Sequence, residues 1–150
     1  MSFGFSVGDF ITATTLICKV VQSLRAAGGA RTAHRELRVD LEGLTDTLRR
    51  VYSLELEGHR AETAHLRREC EECLRKIFDF GKKIQKFGSS LQSRGSGNPV
   101  QEAKKFLHKI EWSLLREDDV KAFKLDLAAP LQRVALEQQS LLLSLGDRVR

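Results

Sequence analysis

Apolar residues recur along this chain at intervals of three and four, the period of an α-helix with one buried face. The stripe Leu37, Leu41, Leu44, Leu48 and Val51 keeps this spacing without a break. No stretch alternates apolar and polar residues over the length of a strand. The pattern predicts an all-α fold, a mostly antiparallel bundle of about five helices.

Glycine, serine and proline divide the helical segments from one another. Gly58 is predicted to end the second helix, and Pro130 to kink the last helix or split it in two. Residues 1–150 are expected to form one domain, the N-terminal module of a longer protein. The predicted boundaries are a flexible Gly/Ser loop at about 88–99 and helices at about 7–27, 31–57, 61–87, 100–115 and 119–145.

Each later helix has its own predicted inward face. A heptad seam in the third helix favours packing against the second helix. The seam consists of Leu66, Cys70, Cys73, Ile77, Phe80, Ile84 and Phe87. The fourth helix is expected to bury Ala103, Phe106, Leu107, Ile110 and Leu114. The fifth is expected to bury Val120, Phe123, Leu127, Leu131, Val134, Leu141 and Leu145, and Glu117, Asp118 and Asp119 suit its start.

The first helix carries the strongest local signals. Ser6 and Asp9 have the spacing of a capping box, and Phe5 and Phe10 occupy the positions of a hydrophobic staple. Apolar residues extend nearly around this helix, so we expect it to be surrounded. The same residues make it a candidate membrane-inserting helix: Phe3, Phe5, Val7, Phe10, Ile11, Leu16, Ile17, Val20, Val21 and Leu24.

The favourable and unfavourable contributions to membrane insertion of the first helix nearly cancel. Residues 3–24 extend roughly 33 Å at about 1.5 Å per residue, enough for a hydrocarbon core of roughly 30 Å. The roughly ten strongly apolar residues contribute about −3 to −6 kcal/mol to insertion, while Asp9 and Lys19 cost up to about 3 kcal/mol each. The sum is close to zero, which favours a buried helix and leaves conditional insertion open.

Composition narrows the class of protein. The net charge of +5 is mild, and the three cysteines and the lack of a cleavable signal pattern favour a reducing cytoplasm. Basic residues form several clusters, and Lys82, Lys83 and Lys86 are candidate contacts for anionic lipid. A solvated face is the competing interpretation of these lysines. Aromatic residues are not interleaved with them, so nucleic acid is not an expected partner.

Nothing in the sequence argues for catalysis. Cys70 and Cys73 have C-x-x-C spacing, but they lie on the apolar seam in mid-helix and are interpreted as core residues. His34, His59 and His65, like His108, are scattered and expected at the surface. We therefore expect no enzyme activity, no metal or other cofactor, and no small-molecule substrate.

The opening residues 1–11 (MSFGFSVGDFI) resemble the start of the HeLo-like group, the fungal N-terminal domain of STAND (NLR-like) proteins. Residues 82–87 (KKIQKF), 109–114 (KIEWSL) and 118–123 (DDVKAF) resemble the same architecture. The resemblance implies a helical bundle ahead of nucleotide-binding, repeat or ubiquitin-like regions. In some relatives assembly frees the N-terminal helix, which enters membranes during programmed cell death.

Two functions follow as expectations. The first is a cytoplasmic signalling and assembly domain that becomes membrane-associated on activation, through contacts with its own copies or with downstream regions. The alternative is an inert scaffolding bundle that packs on downstream domains. Thr12, Thr14, Thr15 and Lys19 in the first helix depart from a strong toxin pattern.

Overall fold

The computed structural model of this chain describes residues 7–25, 31–85 and 110–149. These residues form four α-helices, where about five were predicted for the whole chain, and no strand, so the all-α class is confirmed. The helices are α1 (Val7–Arg25), α2 (Thr32–Leu56), α3 (Ala64–Gln85) and α4 (Glu117–Val149), with a 3-10 turn at Trp112–Leu114.

Contacts between helix ends give the direction of each helix. Arg25 in α1 lies 3.6 Å from Glu42 in α2, while Cys18 lies near Arg49, so α1 and α2 are antiparallel. The Arg133–Glu69 pair, at 2.8 Å, joins the middle of α4 to the start of α3. Lys124 and Glu36 lie 3.0 Å apart near the starts of α4 and α2, which therefore run parallel. The four helices alternate in direction, as in an up-down-up-down bundle.

The α2 stripe is the centre of the core. Leu37, Leu41, Leu44, Leu48 and Val51 are all buried, as predicted. The helix ends in the arrangement of a Schellman motif: the His59 amide donates to Leu54 O at 2.9 Å and the Gly58 amide donates to Glu55 O at 3.1 Å. Gly58 has a φ of 93°, a conformation that glycine adopts without a Cβ penalty, which confirms it as the stop.

The partner of α3 differs from the prediction. Its seam residues Leu66, Cys70, Cys73 and Ile77 are buried, but α3 packs mainly against α4 and much less against α2. Phe80 stacks on Phe123 of α4 with ring centroids 4.2 Å apart. Phe80 and Ile84 are half-buried, and Phe87 lies outside the described residues. Periodicity identified the buried face correctly but could not identify what covers it.

The last helix, α4, is continuous through Pro130, so of the two predicted outcomes at this residue, a kink or a split, the split is wrong. It begins with three acidic residues in its first turn, as expected for a helix N-terminus. Its predicted inward residues are buried or half-buried: Val120, Phe123, Leu127, Leu131, Val134, Leu141 and Leu145.

The predicted fourth helix lies largely outside the described residues, which resume at Ile110. From there to Leu115 the chain contains a 3-10 turn instead of an α-helix. This changes which side chains face inward, because a 3-10 turn has about three residues per turn. Trp112 is fully buried, and Leu114, predicted to be buried, is 71% exposed.

Candidate functional site: the first helix and the basic end of the third

The first helix packs with one face in the bundle and the other in solvent. Ile11, Thr15, Lys19 and Gln22 are exposed, so the expectation that α1 is surrounded is wrong. Of the candidate membrane-inserting residues, Ile11 is exposed and Phe10, Leu16, Ile17, Val20, Val21 and Leu24 are buried. Val7 begins the helix directly after the predicted N-cap; Phe3, Phe5 and Ser6 lie outside the described residues.

Whether a helix could span a bilayer depends on its length and apolar character and not on how it packs in the bundle. Within the described parts of the chain, no helix combines the length and the apolar character needed to cross a membrane.

Two threonine hydroxyls on α1 are satisfied within the helix. The hydroxyl of Thr14 donates to Phe10 O at 2.8 Å, and that of Thr15 donates to Ile11 O at 2.9 Å. Such back-bonding leaves each hydroxyl paired wherever the helix moves. Two of the threonines that depart from a strong toxin pattern therefore add little polar cost to an apolar environment.

Two polar contacts of the last turn of α1 join it to other described parts of the bundle. The backbone amide of Trp112 donates to Ser23 Oγ at 2.9 Å. Arg25 forms the ion pair with Glu42, but the Arg25 side chain is 60% exposed and such pairs contribute little to stability. Trp112 also lies 5.5 Å from the Phe80 ring and 6.2 Å from the Phe123 ring, measured between centroids. The connector before α4 thus joins α1 to the α3–α4 pair.

A charged cluster covers the other end of α1. The guanidinium of Arg67, on α3, lies 5.9 Å from the centroid of the Phe10 ring. Arg67 Nε is 3.5 Å from Glu71 Oε1 and 3.8 Å from Glu55 Oε1, on α2. All three charged side chains are at most 16% exposed. Burial raises the pKa of Glu71, and the neighbouring Arg67 charge opposes that rise. This cluster joins α1, α2 and α3.

The basic end of α3 is accessible. Lys82 and Lys83 are both exposed in its last turn, and Lys86 lies outside the described residues. Lys83 also lines a cleft of about 540 Å³ between α3 and α4, above the stacked Phe80 and Phe123 rings. The charged side chains around it are mixed in sign: Lys76, Lys83, Arg116, Asp79, Asp119 and Asp126. The acidic neighbours weaken the positive potential of the cleft, so Lys82 is the better placed of the two lysines for an anionic surface.

The cysteines lie where the pattern predicted. Cys70 and Cys73 are fully buried among apolar side chains. Burial raises the pKa of both thiols, that of Cys73 to about 12. A buried thiol with a raised pKa is a poor nucleophile and a poor metal ligand. No group of three or more potential metal ligands lies together in the described residues.

One histidine is not at the surface. His34 is only 1% exposed, and its Nε2 lies 3.1 Å from Leu115 O, which also accepts from Arg31. The prediction for this histidine is wrong because the connector before α4 folds over the start of α2. His65 is exposed as predicted and His59 is half-buried beside Glu62; His108 lies outside the described residues.

Comparison of the chain with protein-family models, with curated proteins and with solved structures finds no match in any of the three.

Proposed function

We propose that this chain is a non-enzymatic signalling and assembly domain whose N-terminal helix, α1, engages membranes after it is displaced from the bundle. The protein rests in the cytoplasm and associates with membranes on activation. Its partners are further copies of itself or downstream regions of the same protein. This is the role that the HeLo-like resemblance implies for an NLR-like, cell-death effector of fungal type.

The observation that carries this proposal is the position of α1 at the edge of the bundle. It packs mainly on α2 and on the connector at residues 110–115, whereas α2 and α3 both pack on α4. Displacing α1 therefore leaves the contacts of α4 with α2 and α3 in place. A first helix that ran through the centre could not leave without unfolding the domain.

With one apolar and one polar face, α1 is better suited to lie in the plane of a membrane surface than to cross the membrane. Its buried face is apolar, and its outer face carries Thr15, Lys19, Gln22 and Arg25. A helix with two such faces lies at the boundary between headgroups and acyl chains, with its basic residues toward the headgroups. Membrane perturbation by several such helices needs no single spanning segment.

The fluorescence of Trp112 reports directly on whether α1 is docked in the bundle. It is the only tryptophan in the chain, it is fully buried, and its amide contacts Ser23 of α1. Vesicles of anionic phospholipid should shift Trp112 emission to longer wavelength and make it accessible to acrylamide, together with release of an enclosed dye. Binding without any change at Trp112 would show that α1 stays docked and would overturn the proposal.

The lysines provide the second part of the test. Lys82→Glu with Lys83→Glu lowers the net charge from +5 to +1, since each substitution subtracts two charges. Arg50→Glu with Arg60→Glu, at exposed positions near the end of α2 that is remote from Lys82 and Lys83, makes the same change and serves as the matched control. If each lysine contributes about 1 kcal/mol at an anionic surface, the lysine variant should bind at least about tenfold more weakly than the control variant.

The scaffolding alternative rests on an observation as well. The buried residues of α1 are part of the same core as those of α2, with Phe10 and Ile17 at most 2% exposed. A permanently docked α1 predicts no response of Trp112 to either anionic or neutral vesicles, and no dye release. The two functions therefore give opposite results in one titration.

A further inference from the structure

The outer side of α4 carries an apolar strip that the bundle does not use. Leu125, Leu136 and Leu143 are 77%, 58% and 72% exposed. At 3.6 residues per turn, the three leucines lie within about 20° of one another around the helix. Ala129, Gln132 and Gln139 lie between them, and we refer to these six residues as the α4 leucine face.

Charge is excluded from this face. Charged side chains of α4, such as Asp126, Arg133 and Glu137, lie toward its edges, while the residues between Leu125 and Leu143 on the outer side are uncharged. An apolar strip with charged edges along a helix is the pattern of a helix that pairs with another helix. Singly exposed leucines are common in proteins, but three in line are not explained by chance exposure alone.

We propose that the α4 leucine face binds the same face of a second copy of this chain, with the two α4 helices antiparallel. This deepens the assembly half of the proposed function and rests on it. The face is self-complementary about a two-fold axis level with position 134 of α4. Leu125 then lies opposite Leu143 of the second copy, and Gln132 lies opposite Leu136 of the second copy.

The charges at the start of α4 favour this direction. Glu117, Asp118 and Asp119 all lie in its first turn and are exposed. A parallel pair would bring the two acidic turns together, which is repulsive, whereas an antiparallel pair separates them by most of the helix length.

The size of the contact predicts its strength. From Leu125 to Leu143 the strip is about 27 Å long, and a helix is about 10 Å wide, so a pair buries roughly 600 Å² in total. This is about half of the roughly 1,200 Å² at which stable interfaces begin. Through this contact alone the copies should therefore associate weakly. They should associate appreciably once other contacts hold them at an effective concentration of about 1 mM.

Sedimentation velocity on the whole chain, from about 10 μM to about 1 mM, tests the contact. The wild-type mass should rise with concentration, and Leu136→Glu should weaken association at least about tenfold. Val39→Glu, at a 58% exposed position on the outer face of α2, introduces the same charge and should behave as wild type. A wild-type chain that stays monomeric throughout, or equal behaviour of the two variants, would overturn the inference.

Disulfide trapping tests the direction. In a Cys18→Ser background, a chain with Leu125→Cys is mixed with a chain with Leu143→Cys and oxidised; Cys70 and Cys73 remain buried. The mixed dimer should predominate over the Leu125→Cys homodimer, and the reverse result would overturn the antiparallel register. Lipid binding is measured with other variants, at Lys82 and Lys83, so failure of this contact and failure of the membrane function are distinguishable.

Discussion

Replacing Arg67 by methionine should destabilise the bundle by about 2–3 kcal/mol at neutral pH. Methionine keeps the apolar length of the side chain but removes the only cation within 4 Å of both Glu55 and Glu71 among the ion pairs of the described residues. Breaking a buried ion pair by removing one partner costs about 3–5 kcal/mol. The cost expected here is at or below the lower end of that range because each group keeps some contact with water and the distances, 3.5 and 3.8 Å, are long.

The loss of Arg67 should also loosen α1. Its guanidinium lies over the Phe10 ring, and a cation in such a position contributes about 0.5–1 kcal/mol when partly exposed. For a domain of 150 residues, each kcal/mol lowers the melting temperature by about 2–4 °C. Thermal unfolding followed by circular dichroism should therefore show a decrease of roughly 5–10 °C.

The pH dependence of the stability lost in Arg67→Met shows whether the charge of Glu71 is responsible for the loss. The pKa of Glu71 is raised in the folded state above its ordinary value of 4.5, so the folded protein holds this proton more tightly than the unfolded chain. The resulting stability is complete below pH 4.5 and is lost as the pH rises through the folded-state pKa. Without Arg67 that pKa rises further, because the opposing charge is gone. The deficit of Arg67→Met should therefore narrow when the pH is lowered from about 7.5 to about 5.

Arg75→Met is the matched control. Arg75 pairs with Glu72 at 3.2 Å on the same helix, but the two side chains are 46% and 35% exposed. Removing an exposed pair of this kind costs at most about 0.5 kcal/mol. Equal melting temperatures for the two variants, or an Arg67→Met deficit that does not change with pH, would refute this account of the cluster.

Two further predictions concern the core. At pH about 8, a maleimide should modify the half-buried Cys18 within minutes, whereas Cys70 and Cys73 should react only after denaturation, since burial raises the pKa of both thiols. Mass spectrometry counts the adducts, and rapid labelling of Cys73 in the native protein would contradict its buried position. Leu48→Ala should cost about 2–5 kcal/mol in urea unfolding, against less than about 1 kcal/mol for Leu56→Ala, because Leu48 is fully buried and Leu56 is 63% exposed; similar midpoints would contradict the α2 stripe as the centre of the core.

The local features of the fold could be predicted because they depend on short-range spacing. The α2 stripe, the stop at Gly58 and the acidic start of α4 each follow from residues within a turn or two of one another. The Arg67–Glu71 pair also has the i, i+4 spacing of a helix. Its extension to Glu55 and Phe10 could not be predicted, because these residues come from two other helices.

Two of the errors, at Leu114 and His34, originate in the connector before α4. The 3-10 turn shifts the phase of the apolar pattern, which buries Trp112 and exposes Leu114. The same connector covers His34, through a contact between residues 81 positions apart in the sequence. The choice of α4 as the partner of α3 is likewise a matter of tertiary packing. A periodic pattern states which face is buried and contains no information about what covers it.

If α1 leaves the bundle as proposed, the energetics of its release link membrane engagement to assembly. Moving the apolar face of α1 from the bundle to a bilayer exchanges one apolar environment for another, so that step is nearly neutral. The cost lies in the α2 stripe that α1 leaves behind, where each uncovered leucine costs about 1.5–3 kcal/mol. Uncovering three or four such side chains costs roughly 5–10 kcal/mol, which is comparable to the whole stability of an ordinary domain. A single copy therefore keeps α1 docked, and release becomes favourable only when another surface covers α2. In the proposed assembly, copies that meet through the α4 leucine face would remain bound to one another while α1 departs, because that face lies on the outer side of α4, away from the helices it packs against within the bundle.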